Sequence, residues 1–214
     1  TFFSSISNEM GDELMYNGVK ISDVVNGGIG KTIGHLWLKK DLPEWMCKYI
    51  ELVIMITADH GAMVSGAHNT IVASRAGKDL ISSLCSGLLT IGDYFGGALN
   101  EAGLLFYEAC KNEEPKDFIK RMNKEHKLIS GIGHKIKTKD NPDKRVEILY
   151  NYVKEHFPKY ETVNYGFKVE AITLQKRNNL ILNVDGFIAC SLIDCMYNLN
   201  FSEDEINEVL ENGL

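Results

Sequence analysis

The chain has 214 residues, 44% of them hydrophobic and 24% charged, with a formal net charge of −6. That balance describes a globular protein with room for one large domain or two small ones. An acidic chain without a basic stripe is a poor partner for nucleic acid, and its apolar runs are too short for a membrane span or a signal peptide.

In chain order, "VKISDVVNGG" near residue 20 admits a short hairpin. "NGGIGKT" fails the spacing of a phosphate loop, which needs four residues before G-K-[ST] and a preceding strand, so a flexible connection between helices is expected there. His35, in "GHLWL", reads as a satisfied core histidine. Pro43 opens "PEWMCKYIELVIMI", a helix apolar on almost every face and expected to be buried. After "TADHGAMVSGAHNT", Asp79 is the expected N-cap of the apolar helix in "DLISSLCSGLLTIGDYF". "GALNEAGLLFYEACKN" follows, and Pro115 opens the polar "PKDFIKRMNKEHK". In "PDKRVEILYNYVKEHF", Val146, Leu149, Tyr150, Val153 and Phe157 keep a helical rhythm up to Pro158. "NLILNVDGFIACSLIDCMYNL" is a long apolar segment, and Ser202 with Glu205 forms a capping box for the last helix. No alternating run is long enough for a substantial sheet, so the expected class is all-α. The five cysteines, Cys47, Cys85, Cys110, Cys190 and Cys195, form no C-x-x-C pair. Their odd number disfavours a disulfide framework or zinc site and suits a reducing compartment. The termini suggest a piece of a longer protein.

Three titratable residues sit at glycine-bearing junctions: His60 in "ADHG", His134 in "GIGH" and Asp185 in "NVDG". Glycine lets a backbone turn sharply or approach a ligand. An unpaired acid in the apolar run around Asp185 would be raised toward neutrality by desolvation, which suits proton exchange. Two histidines and an acid suffice to form or break a carbon–carbon bond beside a carbonyl. His68 reads as a structural residue of its loop, and His126 and His156 as solvated. Lys135, Lys137, Lys139, Lys144 and Arg145 form either a solvated charge run or a carboxylate and phosphate site, for which the planar fork of Arg145 is best suited.

"TADHGAMVSGAHNTIVASRAGKDLISSLCSGLLTIGDYFGGALNEAG", "GIGHKIKTKDNPDKRVEILYNYVKEHFP" and "NLILNVDGFI" resemble the citrate-synthase-homology region of the ATP-citrate lyases, across nearly the whole chain. The resemblance implies a citrate-synthase-like fold: a large helical domain (1–97 and 196–214) and a smaller CoA-binding one (98–195). It implies cleavage of citryl-CoA to acetyl-CoA and oxaloacetate, with coenzyme A as a thioester and no metal. By motif, His60 is the histidine contacting a substrate carboxylate or carbonyl, His134 exchanges a proton with the oxygen that becomes the ketone, and Asp185 exchanges one with the acetyl carbon. Arg145 takes the place of a citrate-binding arginine, and Gly131, Ile132 and Gly133 lie in a CoA-binding segment. Phe95 stands where citrate synthases carry another histidine, and Gly61 where they carry glutamate; both departures favour the lyase. Lys135 replaces a common arginine, keeping charge but losing a bidentate fork. The resemblance further implies a homo-oligomer (dimer or tetramer), a succinyl-CoA-synthetase-like part in the full enzyme, and a cytoplasmic location. The alternatives are a citrate synthase, or an assembly module oligomerising through Pro43–Ile56 and Asp79–Phe95.

Overall fold

The computed structural model describes residues 4–9, 11–92 and 98–213, and the chain divides into two compact units, residues 1–58 and 59–214. The first unit opens with a small antiparallel meander of β1 (Ser7–Asn8), β2 (Met15–Tyr16) and β3 (Val19–Lys20). Tyr16 pairs with Val19 across Asn17 and Gly18, whose φ values are 49° and 77°. Two positive φ angles give the turn whose twist matches the strands it joins. The hairpin expected near residue 20 thus lies slightly earlier and gains a third strand, and among the described residues every later element is a helix.

Helices α1 (Ile21–Val25) and α2 (Gly28–Ile33), a π-helical turn (Gly34–Leu38) and α3 (Glu44–Thr57) complete this unit. "NGGIGKT" is therefore mostly helix, not a flexible connection. A Cβ on Gly30 would lie 2.3 Å from the carbonyl oxygen of Cys47, so glycine permits α2 to rest on α3. The Gly30 amide also donates to Glu51 Oε1 at 3.1 Å. Met46, Cys47 and Tyr49 of α3 are buried, but Ile54 and Met55 are 41% and 65% exposed. Its apolar composition exceeds what this chain covers. His35 is 1% exposed as expected, yet among the described residues neither ring nitrogen has a hydrogen-bond partner. Its Nε2 stands 3.6 Å from Asp41 Oδ1, an exposed carboxylate shared with Lys31.

In the second unit, α4 (Ser65–Arg75) and α5 (Leu80–Leu88) pack together. Asp79 caps α5 through the amides of Ile81 and Ser82 at 3.0 and 3.1 Å. On α5, Leu80, Ile81, Leu84 and Leu88 remain exposed. The remaining elements are α6 (Ala98–Asn112), α7 (Pro115–Lys124), α8 (Lys144–His156), α9 (Glu161–Thr173), α10 (Val184–Asn198) and α11 (Glu203–Asn212). Helix α10 is central, packed by α6, α8 and α9, with Phe187, Ala189, Cys190 and Ile193 fully buried. A helix apolar all round belongs inside such a bundle. Helix α11 covers α6 through Ile206 and Leu210 against Tyr107, and the expected capping box of Ser202 and Glu205 begins it.

Asp194 is 2% exposed on α10 and accepts the amides of Thr162 and Val163, both at 2.9 Å. It caps α9 from a neighbouring helix, since Tyr160 at the N-cap position supplies no side-chain bond. Burial raises its carboxyl to about 6, against the opposing pull of those two amides.

Candidate active site

The site grows from a contact between two glycines. Gly131 has φ +87°, and a Cβ there would lie 2.6 Å from the Cα of Gly186. This approach seats the 129–143 loop on the first turn of α10. Main-chain bonds then fasten it: Asn183 N to Gly131 O at 2.9 Å, Gly133 N to Ile181 O at 2.7 Å and His134 N to Asn179 O at 3.0 Å. Asn183 adds a double staple. Its Oδ1 accepts the Gly186 amide as the N-cap of α10, and its Nδ2 donates to Gly133 O at 2.9 Å. From α9, Glu170 accepts the Leu182 amide at 2.6 Å and Thr173 donates to Leu180 O at 2.7 Å. Burial raises the Glu170 carboxyl, and the Leu182 amide pulls the other way.

His134 is half-buried. Its Nδ1 accepts the backbone amides of Ile136 and Lys137 at 3.0 and 2.8 Å. A neutral ring held in this way carries its proton on Nε2, because the partner of one nitrogen sets the tautomer of the other.

Asp143 is buried and its Oδ1 accepts the amide of Arg145, beginning α8. The same carboxylate takes the side of the guanidinium: Oδ1 from Nε at 3.1 Å and Oδ2 from Nη2 at 2.7 Å. Burial alone would raise the Asp143 carboxyl, but the hydrogen bonds and charge of Arg145, with a smaller pull from His134, hold it below the usual range. Arg145 is raised, first by those hydrogen bonds, with a contribution from the charge of Asp185.

Asp185 lies half-buried in the first turn of α10. It is not the isolated carboxylate in apolar surroundings that its sequence neighbours suggest. A helix N-terminus and the Arg145 guanidinium both present positive potential to it.

His134, Arg145 and Asp185 are thus brought together. His60 is exposed in the 59–64 segment ahead of α4, where Asp59 Oδ1 accepts the Gly61 amide and Gly61 has φ +81°. Among the described residues no hydrogen bond or ion pair ties His60 to the cluster. Phe95 lies outside the described residues. Lys135 is exposed, and Lys144 pairs with Glu147 at 2.5 Å. Much of the main chain of Gly131 and Gly133 is taken up in holding residues 181–183, so their first task is structural. A separate cleft of about 310 Å³ lies between Cys110–Pro115 and Glu161–Lys168, and none of the catalytic or binding residues expected from the sequence lines it. Among the described residues, no group of three side chains is placed to hold a metal, and no helix is long and apolar enough to cross a membrane.

Sequence reasoning passed over Asp143, Glu170, Asn179 and Asn183. Asn183 stood inside the quoted "NVD" motif, and Asp143 inside "NPDKR". Glu170 carried no local signal, because its partner lies on a different element.

Comparison with known proteins shows the family of the chain. A family model described as citrate synthase, C-terminal domain, matches residues 28–201. ATP-citrate synthase of Homo sapiens is 50% identical over 217 residues, covering 100% of this chain and 20% of that protein. The structure of ATP citrate lyase from Methanothrix soehngenii in complex with citrate and coenzyme A is 54% identical, with TM-score 0.97 over 100% of this chain and 35% of that one. A Methanosaeta concilii ATP citrate lyase mutant in complex with (3S)-citryl-CoA is 53% identical, with TM-score 0.93 and the same coverage. The chain thus spans between 20% and 35% of the length of these proteins. On the matched residues and the identities, the chain belongs to the citrate synthase family, through its C-terminal domain.

Proposed function

We propose that this chain is the citryl-CoA lyase module of a larger ATP-citrate lyase, cleaving citryl-CoA to acetyl-CoA and oxaloacetate by a retro-Claisen reaction. One observation carries the reading: an imidazole, a guanidinium and a carboxylate, from His134, Arg145 and Asp185, gather at one glycine junction. Relatives more than half identical over this whole chain hold citrate with coenzyme A in one case and (3S)-citryl-CoA in the other.

The net reaction moves one proton from the tertiary hydroxyl oxygen of the citryl group to the carbon that becomes the acetyl methyl. As the carbon–carbon bond breaks, the hydroxyl oxygen becomes the ketone of oxaloacetate and the bonding pair passes to a thioester enolate. The resemblance assigned the hydroxyl proton to His134. With Nδ1 occupied by two amides, however, the neutral ring offers Nε2–H, a donor that steadies the oxygen. Asp185 then takes the hydroxyl proton and returns it to the enolate carbon, which closes the proton balance on one group. Arg145 binds a citryl carboxylate, and His60 polarises the nascent ketone. General acid–base action of this kind is worth roughly a hundred- to ten-thousand-fold.

Coenzyme A lies along Gly131, Ile132 and Gly133 with Lys135 beside it, and the scheme uses no metal or redox cofactor. We assign the exposed leucines of α5 to contact with a second copy of the chain in a dimer or tetramer. The succinyl-CoA-synthetase-like part belongs to the remaining length of the relatives. Five free thiols suit a cytoplasmic enzyme.

A paired assay on the full protein tests the reading. Citryl-CoA is supplied and oxaloacetate followed with a coupled dehydrogenase; acetyl-CoA and oxaloacetate are supplied and free CoA followed. Fast cleavage with little CoA release is expected, with cleavage abolished in Asp185→Asn. Near-wild-type cleavage by that variant overturns the scheme, and the reverse assay pattern makes the protein a synthase.

A further inference from the structure

Asp143 satisfies more than the start of a helix. It is 5% exposed, and its two oxygens take three N–H groups of one residue, the main chain, Nε and Nη2 of Arg145. A guanidinium gripped on its Nε/Nη2 side keeps its other edge free, formed by Nη1 and the second Nη2 proton. That edge matches a carboxylate in a parallel, two-bonded pair. Arg145 itself is only 28% exposed in its side chain, so its plane is set by Asp143 before any ligand arrives.

We propose that Asp143 is the positioning residue of the substrate site: it clamps the side of Arg145 and turns the free edge of the guanidinium toward a carboxylate of the citryl group. The proposal rests on the role given to Arg145 above. Asp143 touches neither substrate nor reacting atoms and acts through Arg145 alone. Without the clamp, a flexible side chain has to be ordered at each binding event, which weakens binding of the citrate part while leaving the CoA part untouched.

Helix capping can be separated from clamping, because asparagine and serine cap about as well as aspartate. Asp143→Asn keeps the cap but offers N–H in place of one carboxylate oxygen, and Asp143→Ser keeps the cap without reaching the guanidinium. In the full protein, citrate and CoA affinities are measured separately by calorimetry for both variants, for Arg145→Ala and for Asp143→Asn combined with Arg145→Ala. Loss of a charge-assisted bond predicts citrate binding weaker by about tenfold or more in both Asp143 variants. CoA affinity should stay within about twofold, and the double variant should bind citrate no worse than Arg145→Ala alone. Unchanged citrate binding in the Asp143 variants, with weakened binding in Arg145→Ala, overturns the clamp and leaves the lyase reading standing. Unchanged binding in Arg145→Ala overturns both. Parallel loss of citrate and CoA affinity with a lowered melting temperature in both Asp143 variants reduces Asp143 to a cap and overturns the proposal.

Discussion

A Cβ built on Gly186 would lie 2.5 Å from the carbonyl oxygen of Gly131 and 2.7 Å from its Cα. Helix α10 and the His134 loop therefore touch backbone to backbone, and no side chain can enter. Gly186→Ala is expected to force the two apart. Overpacking of this kind costs about 1–3 kcal/mol, read as a lowered melting temperature. Because displacement of the loop carries His134 with it, the proposed cleavage should fall by about a hundredfold, well beyond the loss of folded protein. Unaltered turnover in a folded Gly186→Ala protein would mean that the loop is not required in this place.

Asn183 gives a subtler perturbation of the same junction. Asn183→Asp retains an acceptor for the Gly186 amide, but sets a carboxylate oxygen against Gly133 O where an amide now donates at 2.9 Å. Aspartate caps helices as well as asparagine, so α10 should survive. The repulsion falls on the residue before His134. Turnover is expected to drop at least about tenfold while the far-ultraviolet circular dichroism stays unchanged.

Much of this was readable in advance, and the division follows from where the partners lie. The caps of α5 and α11 have donors and acceptors within three residues, so short motifs announce them. His134, Arg145 and Asp185 stand in long motifs whose order carries the family resemblance. The Asp194 cap of α9 joins residues 32 apart, and the Gly131–Gly186 contact joins a loop to the first turn of α10. Neither leaves a local trace. "NGGIGKT" misled because glycines signal flexibility, whereas Gly30 is needed for close approach to Cys47. The long apolar faces of α3 and α5 read as core, yet several of their side chains are exposed. Periodicity reports that a face wants covering and is silent on whether its own chain covers it.

His35 carries a stability prediction. Its ring is 1% exposed, both nitrogens lack a hydrogen-bond partner among the described residues, and an Asp41 carboxylate oxygen stands 3.6 Å from Nε2. A buried polar group left without a partner costs about 1–3 kcal/mol. His35→Leu is expected to recover part of that cost and raise the melting temperature by about 2–4 °C for each kcal/mol. A lower melting temperature would show that the attraction between His35 and Asp41 outweighs the cost of the unpartnered nitrogens.

Asp194 ties folding to pH. Its carboxyl is raised to about 6 in the folded chain by burial, against about 3.9 for an unperturbed aspartate. Between those values the folded state binds the proton and the unfolded state releases it. Its contribution to stability is therefore greatest below about pH 4 and is lost as pH rises through about 6. The size of the effect is on the order of 2–3 kcal/mol. Other carboxylates shift the opposite way, Asp143 among them, so the difference between wild type and Asp194→Asn isolates the group. Asparagine meets one of the two amides of Thr162 and Val163 with an N–H, which lowers stability at every pH. That offset is constant and does not affect the slope. Denaturant unfolding at several pH values should show the gap between wild type and variant narrowing from pH 4 to pH 6.5 and then remaining level. A constant gap across that range would mean that Asp194 titrates alike in the folded and unfolded chain.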